Sequence, residues 1–167
     1  MSFVVALIMA ISLTGAPSGP DVKSELVRRL THYVTWPASS NPPEQFVICV
    51  MADPEMRRAL DAMVSRAKEL RDAPCRLEVL EDGDDIAGCH LAWLGKAALP
   101  RASELRRRAR ATGSLLVSGE PASCRKGAHF SLIQRESGFT VQIDRAGTQA
   151  DGFSVSSKLH RVAEDCP

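Results

Sequence analysis

Helical and extended hydrophobic patterns alternate along this chain. Val22, Leu26, Leu30, Tyr33 and Val34 recur at helical spacing, with Lys23, Arg28 and Arg29 between them. Asp21 is a fair N-cap for this helix, and Trp36-Pro37 predicts its end, because the residue before proline resists the α region. "FVICVM", Phe46 to Met51, has no polar alternation and predicts a strand covered on both faces. Asp53-Pro54 opens a second helix whose apolar face is Met56, Leu60, Met63, Val64 and Ala67. "CRLEVL" (Cys75 to Leu80) and "CHLAWL" (Cys89 to Leu94) read as the next two strands, joined by the turn-rich "EDGDDIAG". Pro100 to Ala111 is a third helix, stopped by Gly113, and "SLLVS" is a fourth strand. "AHFSLIQRESGFTVQID" carries two alternating runs about Glu136-Ser137-Gly138, a β-hairpin signal. A short last helix falls near Ser157 to Ala163. Strands alternating with helices predict an α/β fold. The expected form is a three-layer sandwich: a mixed sheet of about six strands flanked by helices, with a C-terminal β-hairpin and a terminal helix.

The first 20 residues break this pattern, for they carry no charge. Phe3 to Leu13 is an apolar run of 11 residues, too short to span a bilayer comfortably, and "LTGAPSGP" follows. This is the layout of a secretory signal peptide, with cleavage expected after Ala16, although no basic residue precedes the run. The expected organisation is a signal peptide over residues 1–20 and one domain over 21–167, long enough to bury a real core. Export would place the five cysteines, Cys49, Cys75, Cys89, Cys124 and Cys166, where disulfides persist. The formal net charge of +1 gives no global attraction to nucleic acid or anionic membrane.

The cysteines are the main candidates for chemistry. No C-x-x-C occurs, so zinc-ribbon and thioredoxin-type motifs are absent. Cys49 and Cys89 lie on strands that become neighbours if the first and third pair, and strand neighbours fall within disulfide reach. Two separate buried thiols fit the same pattern. Cys124 stands beside Arg125 and Lys126, which would favour its thiolate. Cys166 is penultimate and is open to pairing with Cys124 or with another chain, which leaves Cys75 unpaired. The arginines of "RASELRRRAR" (Arg101, Arg106, Arg107, Arg108 and Arg110) read as a solvated helix face or, less simply, a docking patch for an acidic partner. Asp82, Asp84 and Asp85 lack the calcium-loop pattern, and His32, His90, His129 and His160 lack metal spacing. No metal, cofactor or catalytic acid–base pair is expected.

Several stretches together resemble the YfiR family of small periplasmic regulators. "VKSELVRRLTHYVTWP" resembles its opening helix and aromatic-Pro corner, "FVICVMADP" its first strand and helix cap, and "IAGCHLAWL" its Gly-Cys-His strand. "GAHFSLIQRESGFTVQID" followed by "GFSVSSKLHRVA" resembles its closing hairpin and terminal helix. The similarity runs from about Val22 to Ala163. It departs from the family's pattern at "KGAHF", at Asp144 where Asn is usual and at His160 where Leu is common. The resemblance implies an exported, usually dimeric α/β domain without catalytic activity. Such a domain holds back an inner-membrane diguanylate cyclase by binding its periplasmic sensor region. It also implies a Cys49–Cys89 disulfide and thiol-dependent tuning, with no nucleic acid and no stable membrane insertion. Two other functions fit the residues. One is a small-molecule sensor with its ligand at the strand ends near Met51-Ala52-Asp53 and Gly95-Lys96. The other is a thiol oxidoreductase acting through Cys124.

Overall fold

The computed structural model describes residues 19–37 and 44–167. The expected signal peptide lies outside the described residues, apart from Gly19 and Pro20. These two form the first turn of helix α1 (Gly19–Tyr33), so Asp21 sits inside that turn instead of capping it. Strand β1 (Val34–Thr35) follows, then β2 (Phe46–Met51), α2 (Pro54–Ala67), β3 (Glu69–Leu70), β4 (Ala73–Leu80) and β5 (Leu91–Leu94). A 3-10 turn (Lys96–Arg101) leads into α3 (Ala102–Thr112), which begins later than the pattern predicts, then β6 (Leu115–Ser118) and α4 (Ser123–Lys126). The hairpin β7 (Phe130–Arg135) and β8 (Gly138–Ile143) is followed by α5 (Arg145–Ala150), β9 (Ser154–Val155), α6 (Ser157–Val162) and β10 (Glu164–Asp165).

The main sheet has the order β10-β8-β7-β6-β5-β2-β4-β3. Strands β2, β4, β5, β6 and β7 run parallel, β8 is antiparallel to β7, and β10 is parallel to β8. The six expected strands are all present. The two-residue β3 and β10 bring the sheet to eight, and β1 and β9 form a separate antiparallel pair. Such short pairings have no periodicity to read. The chain therefore ends on a strand and not on its last helix.

Helices cover both faces of the sheet. On one face Val27 and Leu30 of α1 and Met56, Leu60 and Met63 of α2 pack over Ile48, Val50, Leu91, Trp93, Leu115 and Val117. On the other, Ala102, Leu105 and Ala109 of α3 cover Val47, Cys49, Met51, Ala92, Leu94 and Leu116. Every residue of β2 is buried, as its unbroken apolar run predicts. At the edge, the β3–β4 turn holds Arg71 and Asp72 at φ of 52° and 62° without a glycine. This turn lets the Arg71 guanidinium donate to the carbonyls of Thr31 and Val34 at the end of α1 and lie 4.8 Å from the Trp36 ring centroid. Trp36 is only 5% exposed; it meets Phe46 and Phe153 edge-on and donates its indole N–H to the His90 carbonyl at 2.7 Å. The aromatic-Pro corner is therefore core at Trp36, whereas Tyr33 and Thr35 reach solvent.

Candidate functional site

The cysteines form two bonds. Cys49 of β2 is joined to Cys89, with Cα atoms 5.8 Å apart, and Cys124 of α4 to Cys166, 6.0 Å apart. Cys89 is not in a strand: it precedes β5, and Cys49 stands opposite Ala92. The ladder is completed there by a side chain. His90 donates its backbone N–H to the Val47 carbonyl at 2.9 Å, and its Nδ1 accepts the Val47 N–H at 3.0 Å. His129 repeats the device between β6 and β7: its N–H goes to the Leu116 carbonyl at 2.8 Å and its Nδ1 accepts the Leu116 N–H at 2.9 Å. Each histidine thus serves a strand that begins one residue after it. Cys75 carries the free thiol; it is half-buried against the Val64 carbonyl, and burial pushes its pKa up, the reverse of a reactive thiolate.

A buried ionic cluster, not legible in the sequence, ties the C-terminal third to α3. Asp151 has no exposed side-chain surface. Its Oδ2 accepts from Arg106 Nε and from His129 Nε2 at 2.9 Å, and its Oδ1 accepts from Arg110 Nε at 2.7 Å. Arg106 also donates to the Gly127 carbonyl at 2.8 Å and to Asp144 Oδ2 at 3.2 Å. Burial disfavours charge on Asp151, yet the hydrogen bonds from His129, Arg106 and Arg110 hold its carboxyl well below the usual range. His129 is pushed down to about 4, chiefly by burial. With Nδ1 occupied by a donor, a second ring proton would have nowhere to go. Only the spacing Arg106-x-x-x-Arg110 hinted at this arrangement, because Asp151 sits far along the chain in an ordinary turn.

The arginine helix is therefore not a free basic face. Arg101 pairs with Asp82 and Glu104, and Arg108 with Asp85 and Glu104. The acidic turn and the arginine run, far apart in the sequence, neutralise each other, and Ile86, fully buried, pins that turn beneath α3. Arg107 remains exposed. Cys124 is only 5% exposed and bonded, so Arg125 and Lys126 have no thiol to activate, and Arg125 donates to the Pro167 carbonyl. Among the described residues, no group of three or more His, Cys, Asp or Glu is placed to hold a metal ion. No described helix is long and apolar enough to cross a membrane.

A cleft of about 430 Å³ lies at the carboxyl ends of the parallel strands, lined among others by Lys23, Asp53, Glu55, Lys96 and Glu120. Asp53 is committed to structure: Oδ1 caps α2 through the Met56 N–H at 3.0 Å, and Oδ2 accepts the Trp93 indole N–H at 2.9 Å.

The order of these parts matches one family. A family model described as YfiR/HmsC-like spans residues 20–164. The chain belongs to the YfiR/HmsC-like family. In this member, the matched span holds Cys49, Cys89 and Cys124, whereas Cys166 lies beyond its end. No curated protein matches the chain.

Proposed function

We propose that this protein is an exported regulator that represses a membrane-bound diguanylate cyclase by binding the cyclase's periplasmic sensor region. The observation that carries this reading is the family match over residues 20–164. Two intrachain disulfides support an oxidising compartment. In this reading the chain acts by contact, performs no chemistry on a substrate, works as a homodimer and responds to the state of its thiols.

The test is affinity purification of the tagged protein with cross-linked membranes, alongside cyclic-di-GMP measurement in a deletion strain. Recovery of a cyclase with a periplasmic sensor region and a rise in cyclic-di-GMP are expected. Recovery of no such protein, with cyclic-di-GMP unchanged, refutes the reading. Light scattering on the purified protein checks the homodimer.

A further inference from the structure

We propose that the outer edge of β8 is a docking site for an extended, acidic segment of a partner protein, and that the chain's own tail, Glu164 to Pro167, fills it as a covalently locked placeholder. This goes beyond the regulatory reading, for it holds whichever protein supplies the segment.

The edge is built to take a strand. β8 is the last long strand on its side of the sheet and pairs with β7 along its whole length, Gly138 to Ile143, without a bulge. The Ile143 carbonyl accepts the Cys166 N–H at 3.0 Å and therefore points outward. Backbone groups alternate in direction along a strand, so Val141 and Phe139 also turn theirs outward. The tail pairs with Gln142 and Ile143 alone, two of the six residues of β8. Gly138 to Val141 thus pair with no described strand on this side, and an unpaired edge is a template for strand addition.

The charges choose the occupant. Among the described residues, Arg135 has Glu164 as its one carboxylate partner, at 3.3 Å, and Arg145 has Asp165. Arg125 donates to the Pro167 carbonyl. All three acceptors belong to the tail. With the tail displaced, Arg135 and Arg145 stand at the two ends of the hairpin pairing without a carboxylate, and Arg125 loses its acceptor. Such an edge draws an extended segment that carries acidic side chains and repels a basic one.

The Cys124–Cys166 bond keeps the tail in place. The tail's other holds include a two-residue strand pairing and ion pairs from exposed carboxylates, which contribute little by themselves. Residues 164–167 bury nothing fully, so their release uncovers the edge and leaves the core intact. Cys49 and Cys89 are 0% and 3% exposed, whereas Cys166 is partly exposed. A dithiol reductant therefore opens the outer bond first. One of its thiolates attacks Cys166 Sγ and forms a mixed disulfide, and Cys124 leaves as a thiolate and takes a proton. The second thiol of the reductant then closes its own disulfide and releases Cys166 as a thiol. Two electrons and two protons pass from the dithiol to the two cysteines.

The experiment is a fluorescence-polarisation titration with a labelled peptide of sequence Val-Ala-Glu-Asp-Ser-Pro, which reproduces the tail without its thiol. A second peptide carries lysine at both acidic places. The opened protein is the full chain with Cys124→Ser, Cys166→Ser, Glu164→Lys and Asp165→Lys, checked for folding by circular dichroism. It is expected to bind the acidic peptide at least about tenfold more tightly than the basic one, and at least about tenfold more tightly than oxidised wild type does. Adding Arg135→Glu, on an exposed side chain, is expected to remove about tenfold of that affinity. If the opened variant does not fold, wild type reduced by dithiothreitol at Cys124–Cys166 alone, as read by mass mapping, takes its place. In that same reduced protein, hydrogen exchange at the Cys166 amide is expected to quicken about tenfold or more. No binding, equal affinity for the two peptides, undiminished affinity in Arg135→Glu, equal binding by oxidised wild type or an unchanged Cys166 exchange rate overturns the proposal. None of these outcomes bears on cyclase binding, which is read separately by co-purification.

Discussion

At the scale of single residues, the strongest demands fall on Asp151 and His129. Asp151→Asn takes the buried charge partner from Arg106, whose side chain is 12% exposed, and leaves it only the Asp144 carboxylate at 3.2 Å. Breaking a buried pair from one side costs about 3–5 kcal/mol, and a urea-unfolding midpoint reads that loss. His129 gives a pH dependence whose sign is fixed. Its pKa is about 4 in the fold against an ordinary 6.5, so between those values the unfolded chain binds a proton that the folded chain does not. Stability therefore falls as pH drops from about 6.5 toward 4. His90, also pushed down by burial, acts in the same direction. Asp151, held below its ordinary value, adds its loss only under about pH 4. Unfolding free energies at pH 7 and pH 4.5 should differ accordingly, and His129→Gln should flatten the slope. A wild-type curve that is level across this window would contradict the assigned role. Both histidines are ordinary in the sequence. Their work depends on which strand lies beside them, and local pattern does not encode that.

At the scale of elements, legibility followed burial and length. Strand β2 was readable because both of its faces are covered, and α3 because Gly113, at φ 70°, closes it with a left-handed cap. Gly113→Ala is expected to cost about 1 kcal/mol in chemical denaturation. Gly127→Ala should cost more. Its φ is 136°, and a Cβ there would come within 2.7 Å of the Ala102 backbone, on which the start of α3 rests. The six-residue α5 (RAGTQA) is not legible because it carries no large apolar side chain, whereas the equally short α6 has Leu159 and Val162. Asp144 nevertheless caps it by accepting the Gly147 N–H at 3.0 Å. The Cys49–Cys89 bond ties β2 to the segment that leads into β5, across 40 residues of chain. Replacing both cysteines by serine should destabilise the domain by up to about 4 kcal/mol, from the unfolded chain's regained freedom.

At the scale of the whole molecule, the C-terminal segment is held by several independent contacts. β10 pairs with β8, Cys166 donates its N–H to the Ile143 carbonyl at 3.0 Å and is bonded to Cys124, and Glu164 and Asp165 meet Arg135 and Arg145. These contacts cap the open edge of β8 beside the hairpin. Mass mapping of non-reduced peptides is expected to give Cys49 with Cys89 and Cys124 with Cys166, with Cys75 alone alkylated after denaturation. The same measurement reads the leader: mature protein should begin after Ala16. Material with five free thiols and its leader intact would remove the support for export.

By itself the sequence determined the α/β class, the six principal strands, and the helix ends marked by Asp53-Pro54 and Gly113. Burial on two faces, capping residues and proline act locally and leave their mark in short windows of chain. Only the tertiary structure decided which cysteines meet, that the arginine run and the acidic turn cancel, and that Asp151 gathers His129, Arg106 and Arg110. It also decided that Lys23 and Lys96 share a cleft. Those pairings depend on strand order and on which face each crossover helix takes, and separations of 19 residues or more leave no periodic trace of either.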